Sequence, residues 1–101
     1  MFKGIIKVGS KVTAELSLSD KAKGSAFLAI AWSAGGSTGS QDSRTVAPGG
    51  FGRVTVTPTQ PSLLRVFVDM NRDTDRGTLA VNPPTPQEPI RGDTTWTYSV
   101  E

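Results

Sequence analysis

The sequence predicts a single all-β domain, an antiparallel β-sandwich of about eight strands with Greek-key, jelly-roll or immunoglobulin-like topology. Its 101 residues are enough for one hydrophobic core and too few for two, so we assign residues 1–101 to one domain. Val, Ile, Thr and aromatic residues dominate the apolar stretches, and 11 Gly and 7 Pro separate them. No window repeats its apolar residues with the helical period of about 3.6.

Alternation of apolar and polar residues predicts the individual strands. The predicted strands are, in chain order, residues 2–8, 12–18, 25–33, 44–47, 51–57, 62–69, 78–82 and 94–100. Residues 12–18 show the cleanest alternation, with every second side chain apolar from Val12 to Leu18. The longest apolar run, residues 27–32, predicts a central strand that is buried on both faces.

The aromatic residues are predicted to belong mainly to the core. A sugar-binding face would need solvent-exposed rings from the set Trp32, Phe51, Trp96 and Tyr98. Trp96 and Tyr98 are in phase with Val100 in the last strand, which favours burial against the opposite sheet.

Two segments between the strands carry turn-forming residues. Residues 34–43 are rich in Gly and Ser and are predicted to form a flexible loop. Residues 83–93 contain four prolines, which cannot donate to a ladder of hydrogen bonds. We therefore expect this second segment to run in extended form along the surface and not to form a central strand.

The composition excludes several classes of function. The chain has no cysteine and no histidine, which removes disulfides, Cys-based zinc sites and the commonest general base and metal ligand. A Ser-His-Asp or Cys-His catalytic centre is impossible, and we expect no enzyme activity. The longest apolar run is too short to cross a bilayer, and Lys3 and Lys7 interrupt any signal-peptide core.

One segment has the residue types of a metal site. Its candidate ligands are Asp69, Asn71, Asp73 and Asp75. Oxygen ligands at alternate positions resemble the first half of an EF-hand or dockerin-type loop, so calcium is the one candidate cofactor. The pattern departs from those loops, because Thr74 stands where Gly is needed and Ala80 where a bidentate Glu is needed. A polar turn whose Asp and Asn side chains cap the backbone is the alternative interpretation.

The same region carries a family resemblance. The segment Leu64–Asp69, a polar turn and the segment Gly77–Val81 together resemble the closing hairpin of bacterial pre-peptidase C-terminal domains. The segment Val12–Leu18 is similar to an early strand of these domains. They are small non-catalytic sandwiches carried by secreted enzymes, so the resemblance implies a β-sandwich without catalytic activity and covers about a third of the chain.

Two functions remain open at this level. The first is a structural subunit that packs into a larger particle, such as a virion decoration or capsid-associated protein or a surface filament. It would use protein partners or self-association, at a virion or cell surface. The second is an extracellular accessory module that binds carbohydrate or calcium. The net charge is +2, and scattered Lys and Arg without interleaved exposed aromatics do not indicate nucleic-acid binding.

Overall fold

The computed structural model describes residues 2–35 and 37–101, and Met1 and Gly36 lie outside the described residues. Nine strands form in this part of the chain: β1 (Phe2–Ile6), β2 (Val12–Leu18), β3 (Ala26–Ala34), β4 (Ser37–Val46), β5 (Phe51–Val56), β6 (Ser62–Asp69), β7 (Arg76–Asn82), β8 (Thr85–Arg91) and β9 (Thr94–Val100). None of the described residues belongs to a helix long and apolar enough to cross a membrane.

The strands form two sheets that pack face to face. The five-stranded sheet has the order β1-β9-β6-β3-β4, and the four-stranded sheet has the order β5-β2-β7-β8. Every described pair is antiparallel except β1 with β9, which is parallel. The predicted all-β sandwich is therefore confirmed, with nine strands where about eight were expected.

The core lies between the sheets and is built from alternate residues of each strand. In β2 the four apolar side chains from Val12 to Leu18 are all buried, as their alternation predicts. In β9 the side chains of Trp96, Tyr98 and Val100 are buried as well. Burial of these alternate side chains against the opposite sheet is what stabilises a sandwich of this size.

The prediction that the apolar run in β3 is buried on both faces is wrong. Its inward side chains, such as Leu28 and Ile30, are fully buried, but Phe27 on the other face is 40% exposed and Ala29 and Ala31 are partly exposed. The physical reason is that the domain has only two layers, so nothing covers the outer face of the five-stranded sheet.

Residues 37–43, expected as part of a flexible loop, form the first part of β4. This strand pairs with β3 from Ser37 to Val46 and lies at the edge of the five-stranded sheet. The predicted strand at residues 44–47 covers the end of β4, but Val46 is the one apolar residue of β4, so alternation could not mark residues 37–43 as a strand. Pairing with the apolar neighbour β3 supplies the backbone hydrogen bonds that its own polar sequence does not suggest.

The Pro-rich segment contains β8, which lies at the edge of the four-stranded sheet. An edge strand has one side without a partner strand, which is where prolines such as Pro86 and Pro89 are tolerated in a sheet. Thr85 and Ile90 face inward and are buried.

The two segments that resemble a closing hairpin do not pair with each other. Leu64–Asp69 lies in β6 of the five-stranded sheet, and Gly77–Val81 lies in β7 of the four-stranded sheet. The polar turn between them crosses from one sheet to the other at one end of the sandwich. The Asp-rich segment is therefore an inter-sheet connection.

Candidate functional site

The four predicted metal ligands occupy different environments. Asp69 is the exposed last residue of β6, Asn71 and Asp73 are exposed in the connection that follows, and Asp75 is buried. Among residues 2–35 and 37–101, no three acidic side chains come together in an arrangement that could hold a metal ion. Calcium binding at this segment stays a prediction.

Asp75 has a structural role that its burial makes clear. Its side chain is 2% exposed, and its Oδ1 accepts a hydrogen bond of 2.9 Å from the backbone N–H of Lys23. This bond ties the loop between β2 and β3 to the connection between β6 and β7. The other oxygen, Oδ2, has no hydrogen-bond partner among the described residues. Burying a carboxylate that accepts only one hydrogen bond costs free energy. The chief contribution of Asp75 is therefore to fix these two loops to each other.

Asp69 and Asp93 form a pair of carboxyl groups at the ends of the neighbouring strands β6 and β9. Asp93 Oδ1 also accepts a hydrogen bond of 3.3 Å from the backbone N–H of Met70. The hydrogen bond between the two carboxyls, together with their like charge, raises the pKa of Asp69 above its ordinary value of 3.8. This end of the five-stranded sheet therefore holds two carboxyl groups in direct contact.

The most extensive candidate surface is the outer face of the five-stranded sheet, which we call the outer face. Strand register arranges its side chains in four rows across the sheet. From the first row to the fourth they are Ile5–Ser99–Leu63–Ser33, Thr97–Arg65–Ala31–Gln41, Thr95–Phe67–Ala29–Ser43 and Asp69–Phe27–Thr45. Three of the four large apolar side chains that are exposed among the described residues belong to these rows: Ile5 at 60%, Leu63 at 44% and Phe27 at 40%.

A trough of about 430 Å³ runs along β3 on the outer face. Its floor is made by the small side chains Ala29 and Ala31, and its walls are made by β6 on one side and β4 on the other. Phe27 and Phe67 meet edge to face with ring centroids 6.0 Å apart and form one end of the wall. The outer face thus combines an aromatic ridge with an adjacent shallow hollow.

Arg65 stands in the middle of this apolar surface. It follows Leu63 and precedes Phe67 on the outward side of β6, and it is exposed. The ion pairs in the described part of the chain are Lys3–Glu88 and Arg53–Glu15, and neither involves this guanidinium group. An unpaired cation between the apolar side chains of Leu63 and Phe67 is a feature that an acidic group on a partner could complement.

The outward side of the four-stranded sheet is different in character. Glu15 and Arg53 form a cross-strand ion pair there, and the hydroxyl groups of Thr13 and Thr55 lie beside it. Phe51 is 57% exposed, but the Arg53 guanidinium lies over its ring at 5.7 Å. This side is polar and internally paired, so the outer face is the stronger candidate for recognition.

Sequence reasoning placed Leu63, Arg65 and Phe67 together on one side of β6 but did not identify that side as a surface. The sequence does contain an indication that this side of β6 is exposed, because Leu63 and Phe67 share it with the charged residues Arg65 and Asp69. The tryptophans considered for sugar stacking, Trp32 and Trp96, are each only 5% exposed and cannot present a ring face to a ligand.

Comparisons with protein-family models, with curated proteins and with solved structures give no match to this chain.

Proposed function

We propose that this protein is a non-catalytic structural subunit that packs into a larger particle, for example a virion decoration protein or a surface filament subunit. The outer face of the five-stranded sheet is the surface that meets its partner. The observation that carries this proposal is the exposure of Ile5, Phe27 and Leu63 on one face, opposite a polar face on the other sheet. Grouped apolar exposure of this kind marks sites of protein association.

The shape of the outer face supports a protein partner over a small molecule. The rows extend across five strands, and the trough is a shallow hollow that lies open to solvent on this broad face. Small-molecule pockets surround most of their ligand and present several fixed polar groups. A broad sheet face with a single central cation is better suited to packing against another sheet.

A ligand-binding module is the second candidate, and the trough volume favours it. About 430 Å³ falls within the range of roughly 300–1,000 Å³ typical of ligand pockets. The ligand would lie on Ala29 and Ala31 with Phe27 at one end. Carbohydrate is the class to test first, since the edge of the trough carries the polar side chains of Gln41 and Ser43.

Light scattering over a range of protein concentrations tests the main proposal. We expect the mass to rise with concentration, and we expect Phe27→Gln to weaken this association at least tenfold. Phe51→Gln is the matched control, because it removes an exposed ring of the same type from the other sheet. Circular dichroism of both variants checks that they are folded.

A protein that stays monomeric at high concentration and binds a saturable sugar in the trough would contradict the structural proposal. Equal weakening of association by Phe27→Gln and Phe51→Gln would also contradict it, because the outer face would then have no special role.

A further inference from the structure

We propose that the partner of the outer face is a second copy of this chain, bound face to face about a two-fold axis that crosses the strands through the row of Phe67 and Ala29. This inference rests on the proposed function and names the partner and the register. It assigns reciprocal ion pairs between Arg65 of each copy and Asp69 of the other.

The register follows from the order of side chains along β6. Arg65 and Asp69 face the same way as Phe67 and lie two residues before and two residues after it. A two-fold axis across the strands at Phe67 reverses the strand direction, so Arg65 of one copy is brought over Asp69 of the other. The same operation makes the second pair, because each contact in a symmetric interface occurs twice.

The outward side chains of β3 agree with the same axis, whereas the first row, with Ile5 and Leu63, extends beyond the partner's fourth row. In β3, Ala29 lies on the axis, and Phe27 and Ala31 lie at equal distances on either side of it. The rotation brings the ring of Phe27 in one copy over the small side chain of Ala31 in the other. A large residue then fills the space over a small one, which is the arrangement that interdigitating sheets favour.

Moving the axis to the neighbouring rows loses this fit. An axis through the row of Arg65 and Ala31 would place the two Arg65 guanidinium groups against each other. An axis through the row of Asp69 and Phe27 would place two Asp69 carboxylates together, each already beside Asp93. Like charges in a desolvated interface oppose association, so the row of Phe67 is favoured by charge as well as by shape.

The area available indicates a weak dimer. On this axis the second to fourth rows of the two copies overlap, and three rows about 6.8 Å apart on four strands about 4.8 Å apart give a footprint of roughly 400 Å² per copy. The pair therefore buries about 800 Å², which is below the range of stable interfaces and typical of weak, transient contacts. We expect dissociation constants in the micromolar range or weaker, a value suited to a subunit that associates at the high local concentration of a particle.

Reversing the charge of Arg65 or of Asp69, and then exchanging the two charges in one variant, tests the register directly. The variants are Arg65→Asp, Asp69→Arg and the double variant, with Arg91→Asp on the edge strand β8 as a charge-matched control. Sedimentation equilibrium at concentrations up to about a millimolar gives the association constant. We expect the association constant to fall at least tenfold in each single variant and to recover to within about threefold of the wild-type value in the double variant. The control variant should have the wild-type association constant.

The outcomes separate this inference from the proposed function. If Phe27→Gln weakens self-association but the double charge variant does not restore it, the outer face is the binding surface and the two-fold register is wrong. If the wild-type chain is monomeric at a millimolar, self-association through this face is overturned. The proposed function would then require a different subunit on the outer face.

Discussion

The indole ring of Trp32 lies directly against the backbone of Gly39, where any side chain at position 39 would overlap the ring. Gly39 is the extra residue of a β-bulge, because Trp32 pairs with Ser40 while the next residue of β3 pairs with Thr38. The indole Nε1 donates a hydrogen bond of 2.8 Å to the hydroxyl of Ser40. The bulge thus lets a polar edge strand accommodate a large, buried aromatic side chain.

We expect Gly39→Ala to destabilise the domain by about 1–3 kcal/mol, because the new methyl group forces the indole out of its position. Urea unfolding measures the free energy, and the indole N–H resonance in NMR reports whether the bond to Ser40 is kept. Ser43→Ala on the same strand, at an exposed position, is the control and should change stability little. A stable Gly39→Ala variant with an unshifted resonance would contradict this account.

A buried hydrogen bond of 3.0 Å between the hydroxyl groups of Thr85 in β8 and Tyr98 in β9 links the two sheets. Tyr98→Phe leaves the Thr85 hydroxyl buried without this partner, so we expect a loss of about 1–2 kcal/mol in the free energy of unfolding. Thr85→Val in the Tyr98→Phe background should cost less than it does in the wild type, as a double-mutant cycle would measure.

The pH dependence of the same tyrosine provides a control for that cycle. Burial raises the pKa of Tyr98 above its ordinary value of 10.0, although the bond to Thr85 acts in the opposite direction. The folded state therefore holds the phenol proton more tightly than the unfolded state, and stability is lost as the pH rises above 10. Above pH 10 the Tyr98→Phe variant should lose less stability than the wild type. An equal loss in both proteins would contradict the assignment of this pH dependence to Tyr98.

Asp93→Asn is expected to raise the melting temperature at neutral pH. The pKa of Asp69 is raised above 3.8 by its hydrogen bond and like charge with Asp93, so the folded state favours the protonated form. Stability from this group is greatest below pH 3.8 and is lost as the pH rises through the raised pKa. The variant removes the repulsion and can still accept the Met70 N–H bond.

The gain from Asp93→Asn should therefore be largest near neutral pH and should disappear near about pH 3, where Asp69 is protonated in both proteins. Thermal unfolding monitored by circular dichroism at several pH values measures it. Asp20→Asn, in an exposed loop, is the matched control. A gain that persists at low pH would show that charge repulsion is not its cause.

Millimolar calcium distinguishes a metal site in the Asp-rich segment from a polar turn, because a polar turn leaves the melting temperature unchanged. The candidate ligands Asp69, Asn71, Asp73 and Asp75 differ in burial, and no three acidic groups in the described ranges converge. A site occupied at about a hundred times its dissociation constant would add about 2.7 kcal/mol and raise the melting temperature by several degrees. Such a rise with calcium but not with magnesium would favour the accessory-module function, and Asp73→Asn and Asp75→Asn would then locate the site.

The parts of the fold that sequence could predict are those whose strands have one apolar and one polar face. β2 and β9 alternate along their whole length, and both bury the predicted side chains. Residues 44–47 of β4 were predicted, but residues 37–43 were not, because this part of the strand is held by pairing with β3 and carries no apolar side chain. Backbone pairing with a neighbouring strand leaves no apolar alternation in the strand's own sequence.

The candidate surface was harder to predict than the core for a related reason. Phe27 and Leu63 look like core residues in the sequence, because an apolar strand face gives no sign of whether another layer covers it. The number of sheets and the strand order are needed to show that β3 and β6 lie inside one sheet and have one solvent-exposed side. The position of Arg65 between Ala31 and Thr97 likewise depends on register across three strands.

The parallel pairing of β1 with β9 has a mechanical consequence. Residues of β1 run alongside Thr97–Val100 in the same direction, and the ladder continues through Glu101, whose N–H donates to the Ile6 carbonyl at 2.9 Å. Tension applied between the Phe2 end of β1 and the Val100 end of β9 acts along the strands in opposite directions. This tension loads all of these hydrogen bonds together in shear. A hairpin pulled at its open end would instead lose its hydrogen bonds one at a time.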